Sequence, residues 1–265
     1  MSQSHLAEID GLIIDLDGTV FHGSRLIEGA AETIARLTAF GKRIVYLSNR
    51  GNLSRREVCD RLNGLGVPAV PEQIVMSSTV TAGFMRRTYP GSPVWALGEQ
   101  GLRDELEEAG VPLADRPEQA DWLIVTLHES LTYRELNDAF RAVRGGARII
   151  ATNSDKTVPD ASGAAAIDVA GMIGALTGAA GRLPDLVVGK PSWLMAEAAL
   201  AALGGGVERG RCLVIGDSME SDIALGRLFG MKTALVLTGS TTREMAGVGK
   251  HKPDYVWESI ADAVM

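Results

Sequence analysis

The sequence predicts an α/β protein built on a doubly wound parallel sheet, with a second α/β unit inserted into it. Two observations predict this. Short apolar runs alternate with segments of helical periodicity along almost the whole chain, the pattern of strand–helix–strand units that form parallel sheets. Four of the apolar runs end in polar residues, at Asp15/Asp17, Ser48/Asn49, Lys190 and Asp217/Asp222. A parallel sheet brings all such ends to one edge, where open α/β sheets bind their ligands.

Gly11-Leu12-Ile13-Ile14 reads as a buried strand that runs straight into Asp15-Leu16-Asp17 and is broken by Gly18-Thr19. Side chains at i and i+2 leave a strand on the same face. Two carboxylates that close repel, and a bound cation or a shared proton would relieve them; the plain alternative is a solvated turn. After a polar excursion, residues 28–40 have helical periodicity, ending at Gly41. Residues 42–47, rich in β-branched and aromatic side chains, form the next strand and carry Ser48-Asn49-Arg50 to its end. Ser54 with Glu57 three residues on predicts a capping box at the start of a helix over 55–65. Ile74–Met76 is a third strand and 78–88 a further helix.

From Pro90 the texture changes. Strands are predicted at Val94–Leu97, Trp122–Val125 and 149–151, with helices at 100–109, 133–143 and 163–177. Tyr89-Pro90-Gly91 and Gly181-Arg182-Leu183-Pro184 punctuate the two ends of this stretch. It is therefore assigned to the inserted unit, residues 80–183, with 1–79 and 184–265 forming the main one. In the last part a short strand at 186–188 leads to Gly189-Lys190-Pro191, and a helix follows over 192–203. A strand at 212–215 ends in Gly216-Asp217, and a helix to Phe229, a strand at 233–237 and a short terminal helix close the chain.

Composition excludes several classes. A hydrophobic content of 46% with 22% charged residues is that of a globular protein. The net charge of −7 argues against a general nucleic-acid binder, while leaving an anionic substrate open, since local residues set the field in a cleft. Cys59 and Cys212 are too few for a disulfide scaffold or a cysteine zinc site, and a reducing cytoplasm fits them. Residues 1–10 lack a signal pattern. The Ala/Gly-rich stretch 161–181 carries Asp168, and its Gly174-x-x-x-Gly178 spacing is read as soluble helix packing rather than a membrane span. No Gly-x-Gly-x-x-Gly follows the first strand, and Gly204-Gly205-Gly206 precedes a strand, which rejects a dinucleotide site.

Brought to one edge, the polar strand ends specify a chemistry. Asp15 is placed to attack phosphorus and form an aspartyl-phosphate. Asp17 would protonate the leaving group and later activate the hydrolytic water. Mg²⁺ prefers oxygen ligands, and carboxylates with a carbonyl and the phosphate would hold it; it would also let anionic Asp15 approach an anionic phosphate. Ser48 and Lys190 would hold the phosphoryl oxygens.

Asp15-x-Asp17-Gly18-Thr19, Ser48-Asn49, Gly189-Lys190-Pro191 and Gly216-Asp217-x4-Asp222 resemble the four motifs of the haloacid dehalogenase superfamily. The order of the motifs, the chain length and the long insertion between the second and third resemble its NagD/4-nitrophenylphosphatase branch. Thr152-Asn153-Ser154-Asp155 is similar to that branch's Asn-x-Asp cap motif, and Leu131-Thr132-Tyr133 also has a counterpart there. The resemblance implies a Rossmann-like core with an α/β cap, and Mg²⁺-dependent hydrolysis of a small phosphorylated metabolite of the sugar, polyol or glycerol phosphate type. It implies Asp15 as nucleophile, Asp17 as acid/base with its main-chain carbonyl on the metal, and Asp217 as a further metal ligand. Ser48 and Lys190 would bind phosphate, Asn49 would position substrate or phosphate, and Asn153 and Asp155 would line the substrate side. Asp222 would orient Lys190 or a metal-bound water.

The chain departs from the branch at Arg50, where a second Asn is usual, and at His128-Glu129, where an acidic–basic pair is common. Both departures bear on the leaving group rather than the phosphoryl chemistry, and Arg50 is assigned to the substrate side with Asn49. A phosphotransferase or mutase, or a non-catalytic binder, would share the fold. Asp17 and Thr19 disfavour a dehalogenase. A homodimer packed through the cap is compatible with the sequence, though no stretch specifies it.

Overall fold

The computed structural model describes residues 6–159 and 164–264. In chain order its strands and helices are β1 (Gly11–Ile14), the hairpin β2 (Phe21–His22) and β3 (Arg25–Leu26), α1 (Ala30–Ala39), β4 (Arg43–Ser48), α2 (Arg55–Gly64), β5 (Ile74–Met76) and α3 (Ser77–Thr88). There follow β6 (Val94–Leu97), α4 (Gln100–Glu108), β7 (Trp122–Val125), α5 (Tyr133–Arg144), β8 (Arg148–Ala151), the hairpin β9 (Thr157–Pro159) and β10 (Ala165–Ile167), and α6 (Val169–Ala180). The chain ends with β11 (Leu186–Val187), α7 (Trp193–Ala202), β12 (Cys212–Gly216), α8 (Ala224–Leu228), β13 (Lys232–Val236), α9 (Arg243–Val248) and β14 (Tyr255–Trp257). The terminal helix expected from the sequence is a 3₁₀ segment at Ile260–Val264.

The main sheet has the order β14-β13-β12-β1-β4-β5, parallel throughout. From β1 the chain adds β4 and β5 on one side, then returns to add β12, β13 and β14 on the other. That reversal puts a topological switch point between β1 and β12, where a crevice opens at the strand ends. Both faces are covered, so successive residues of β1 are buried in different clusters. Leu12 and Ile14 pack with Ile44, Tyr46, Leu213 and Ile215, while Ile13 packs with Val45, Leu47 and Val214 on the opposite face. This is why the strands read as unbroken apolar runs rather than alternating ones.

A second parallel sheet has the order β11-β8-β7-β6. The expected boundary at 184 therefore falls just before a strand that pairs with β8 in this second sheet. Lys190, three residues past that strand, follows the second sheet and not the main one. The four polar strand ends converge, but from two sheets rather than along a single edge.

The sequence also placed a helix over 163–177, and the structure differs. Ala165–Ile167 pairs antiparallel with Thr157–Pro159, and the helix starts only at Val169, where the Asp168 side chain accepts from the Val169 N–H. The alanine run suits a helix by propensity, but strand pairing and this N-cap override it; Gly163 itself lies outside the described residues. Strand β14 was also unassigned from the sequence. Among the described residues no helix is long and apolar enough to cross a membrane.

Candidate active site

At the switch point the backbone itself delivers Asp15. Its N–H donates to the Ile215 carbonyl at 2.8 Å, which continues the β1/β12 ladder one residue past β1. The carboxylate, 8% exposed, accepts from Lys190 Nζ at 2.5 Å through Oδ1 and from Thr19 Oγ1 at 3.4 Å through Oδ2. Lys190 Nζ also donates to Asp222 Oδ1 at 2.7 Å and to the Leu47 carbonyl at 3.1 Å, so all three ammonium protons are engaged. Its main chain is held as well, its N–H donating to Asn49 Oδ1 at 2.7 Å.

Asp222 sits in a single π-helical turn, Met219–Ile223, between β12 and α8. Such turns insert a residue and re-aim a side chain. Here Asp222 is turned back onto its own strand end, its Oδ2 accepting from the Ser218 N–H at 3.1 Å. Gly216 makes room for it, since a Cβ there would lie 2.2 Å from Asp222 Cγ. Asp217 Oδ2 accepts from the Ser240 N–H at 2.5 Å. Gly18, at φ +84°, closes over the same carboxylate, and a Cβ on it would meet Asp217 Oδ2 at 2.7 Å.

Oxygens of Asp15, Asp217 and Asp222 lie within 4.8 Å of one another, three buried carboxylates facing one ammonium. Burial pushes the Asp15 carboxyl well above the usual carboxylate range; Lys190 opposes this, and the Asp222 and Asp217 charges add to it. Burial also raises Asp217, with Asp222 adding to it. Burial alone would lower Lys190, but Asp15 and Asp222 more than offset it and hold the ammonium charged. An all-oxygen cluster with surplus negative charge fits a hard divalent cation such as Mg²⁺ or Ca²⁺. The sequence expected the metal at Asp15, at the main-chain carbonyl of Asp17 and at Asp217, with Asp222 acting from behind them; the carboxylate cluster joins Asp222 to Asp15 and Asp217.

Asp15 and Asp17 do not share one counter-charge. Chain direction changes after Ile14, and Asp17 Oδ2 pairs instead with Arg50 Nε at 3.0 Å. Ser48, 3% exposed, accepts the Arg50 N–H on Oγ at 3.1 Å. Asn49 is the junction with the second sheet. Its Nδ2 donates to Asp155 Oδ2 at 2.9 Å, and its carbonyl accepts from Asn153 Nδ2 at 2.9 Å and Ser77 Oγ at 2.7 Å. Asn153 and Asp155 were expected on the substrate side; these contacts are with the Ser48–Arg50 loop. His128 is buried against Glu135 at 3.2 Å, with Glu99 at 3.9 Å, and Lys156 is exposed.

Sequence reasoning missed Thr238, whose Oγ1 donates to the Gly18 carbonyl at 2.6 Å, and Ser240. The signal was present: Thr238-Gly239-Ser240 follows β13 as a further polar strand end.

A family model for haloacid dehalogenase-like hydrolases matches residues 12–112, and a second for HAD-hydrolase-like domains matches 187–263. The chain belongs to the haloacid dehalogenase-like hydrolases and is a phosphoric monoester hydrolase of their NagD/4-nitrophenylphosphatase branch. It is 56% identical to the sugar-phosphatase AraL of Bacillus subtilis over 252 residues, 95% of this chain and 91% of that protein. Its fold matches the p-nitrophenyl phosphatase of Archaeoglobus fulgidus with a TM-score of 0.89 at 36% identity, covering 97% and 98% of the two chains. A glycerol phosphate phosphatase from Mycobacterium tuberculosis in complex with calcium matches with a TM-score of 0.88 at 29% identity, over 97% of this chain and 75% of that one.

Proposed function

We propose that the protein hydrolyses a small sugar, polyol or glycerol phosphate through an aspartyl-phosphate on Asp15, with Mg²⁺ as cofactor. The observation that carries this reading is the buried Asp15–Lys190–Asp222 chain beside Asp217 at the switch point. A nucleophilic carboxylate must be ionised and accessible from one side, and Lys190 supplies the neighbouring positive charge. A divalent cation held by Asp15 and Asp217, with the Asp17 carbonyl, would offset the charge of an incoming phosphate.

In this reading Asp15 attacks phosphorus as the ester P–O bond breaks, and Asp17 gives its proton to the departing oxygen. Water, deprotonated by Asp17, then hydrolyses the acyl-phosphate and releases Asp15 and inorganic phosphate. Ser48 holds one phosphoryl oxygen, Lys190 turns the ammonium proton it now gives Asp15 to another as Asp15 bonds to phosphorus, and Asp222 keeps Lys190 in place. Asn49, with Asn153 and Asp155, fixes the Ser48–Arg50 loop against the cap and so shapes the substrate side. The substrate class is supported by the similarity to AraL and to the glycerol phosphate phosphatase.

The test is phosphate release from a panel of sugar, polyol and glycerol phosphates, for the wild type and Asp15→Asn, with Mg²⁺ and with EDTA. We expect turnover on at least one ester, lost with EDTA and reduced by ~10⁴-fold or more in Asp15→Asn, as for removal of other covalent nucleophiles. Turnover that survives Asp15→Asn sinks the aspartyl-phosphate, and turnover that survives EDTA sinks the metal.

A further inference from the structure

Arg50 stands where the sequence suggested a contact with substrate or phosphate, yet its partner is a protein carboxylate. Its Nε donates to Asp17 Oδ2 at 3.0 Å, with both side chains mostly shielded at 18% and 23% exposure. The pairing is built from the loop upward. Arg50 N–H is fixed on Ser48 Oγ at 3.1 Å. The next residue, Gly51, is pressed so closely on the second sheet that a Cβ would meet Thr126 Oγ1 at 2.2 Å and Thr152 Oγ1 at 2.9 Å. The loop that carries Arg50 is therefore clamped between the two sheets, and the guanidinium approaches Asp17 from a fixed backbone. On the α2 side, Arg61 lies 4.1 Å over the Phe21 ring. Asp15, in contrast, has its own cation in Lys190.

We propose that Arg50 is a positioning residue for Asp17, holding its carboxyl group in line with the leaving oxygen and taking up the negative charge left when the proton departs. The inference rests on the reading of Asp17 as the acid. In that step the Asp15 oxygen–phosphorus bond forms, the ester P–O bond breaks, its electron pair stays on the ester oxygen, and that oxygen takes the Asp17 proton. Asp17 is left as a carboxylate against Arg50 Nε–H, a charge-assisted hydrogen bond. Orientation of an acid is worth rate only where the leaving oxygen needs a proton. An alkoxide needs one; 4-nitrophenolate leaves without help.

This separates positioning from phosphate binding. Loss of an arginine that grips phosphate lowers kcat/KM equally for every ester. Loss of an arginine that aims the acid lowers it for alkyl esters and spares aryl ones. The parameter kcat/KM also ends at leaving-group departure, so the later role of Asp17 as base does not enter.

The experiment is kcat/KM on glycerol phosphate and on 4-nitrophenyl phosphate with Mg²⁺, for wild type, Asp17→Asn, Arg50→Ala and Arg50→Lys. The ratio of the two substrates on one preparation is independent of the folded fraction, so a partly misfolded variant is still readable. We expect Asp17→Asn to lower the alkyl-to-aryl ratio by ~10²–10⁴-fold, the range of general acid catalysis. Arg50→Ala should lower it by about 10–100-fold, at or below the lower end of that range. Arg50→Lys, which keeps the charge but not the planar fork, should fall between Arg50→Ala and wild type. If Asp17→Asn shifts the ratio and Arg50→Ala lowers both substrates alike, Arg50 binds phosphate and the inference alone is overturned. If Asp17→Asn leaves the ratio unchanged, the acid assignment and the inference fall together.

Discussion

The two parallel sheets meet across the site with different chemistry at their carboxyl ends. The main sheet supplies the negative charge: Asp15 after β1, Asp217 and Asp222 after β12, all at or below 8% exposure. The second sheet supplies the neutralising cation, Lys190 after β11, and, after β8, Asn153 and Asp155, which respectively donate to the Asn49 carbonyl and accept from Asn49 Nδ2. Buried without Lys190, these carboxyls would have no ammonium beside them and would hold protons instead. The charge balance of the site thus depends on the second sheet being docked. Lys190, between β11 and α7, ties the charge balance of the site to the junction of the two sheets.

That contrast predicts unequal costs for breaking the junction. Lys190→Met in metal-free buffer removes one partner of a buried ion network, and should lower the unfolding free energy by about 3–5 kcal/mol. Asn153→Ala removes a neutral hydrogen bond at the same junction, and should cost about 1–3 kcal/mol, depending on how well water replaces it at the Asn49 carbonyl. Urea titrations of both variants in EDTA give the comparison. An Asn153→Ala penalty equal to or above that of Lys190→Met would mean that docking is set by hydrogen bonds and not by charge.

A buried acid also stands beside the second sheet. Asp168, 6% exposed at the start of α6, is raised to about 6, chiefly by burial; its hydrogen bond from the Val169 N–H opposes this, and the Asp155 charge adds to it. A carboxyl raised in the folded state stabilises the fold below its unfolded value and loses that contribution as pH rises through the folded one. The window runs from the ordinary carboxylate value near 4 up to about 6. Asp168→Asn keeps an N-capping side chain and removes the titration. Its stability relative to wild type should therefore improve by about 2 kcal/mol between pH 4 and pH 7. Unfolding free energies of the two proteins across that range check it; parallel curves would place Asp168 in a more solvated setting than its burial indicates.

The same division between sheets decides what was legible in the sequence. At the main sheet, apolar runs ending in Asp15, Ser48 and Asp217 gave both the strands and the site, because burial on both faces leaves an unbroken apolar signature. Lys190 was legible as a residue but not as to its sheet, since a two-residue strand at Leu186–Val187 has too little pattern to say which neighbour it pairs with. The β9/β10 hairpin was hidden because its alanines favour helix locally and only the pairing with Thr157–Pro159 makes them strand. The partner of Asp17 was hidden for a different reason. Arg50 reaches it from the loop after β4, and a turn says nothing of where a long side chain ends.

Local signals that stand entirely within one element should behave alike in both units. Ser54 with Glu57 caps α2 beside the main sheet, and Thr132 with Glu135 caps α5 beside the second. Each side-chain oxygen accepts from the backbone N–H three residues on, at 3.3 Å in both. Ser54→Ala and Thr132→Ala should each cost about 1 kcal/mol, the smallest effect of the set. The two sites differ in one respect: Glu135 also holds the buried ring of His128, whereas among the described residues the Glu57 carboxylate is engaged with Ser54 alone. If Thr132→Ala lets Glu135 swing away from the helix start, His128 loses its partner and the second penalty exceeds the first. Urea midpoints of the two variants at one pH decide it: equal shifts make the caps purely local, and a larger shift for Thr132→Ala ties the cap of α5 to the packing around His128.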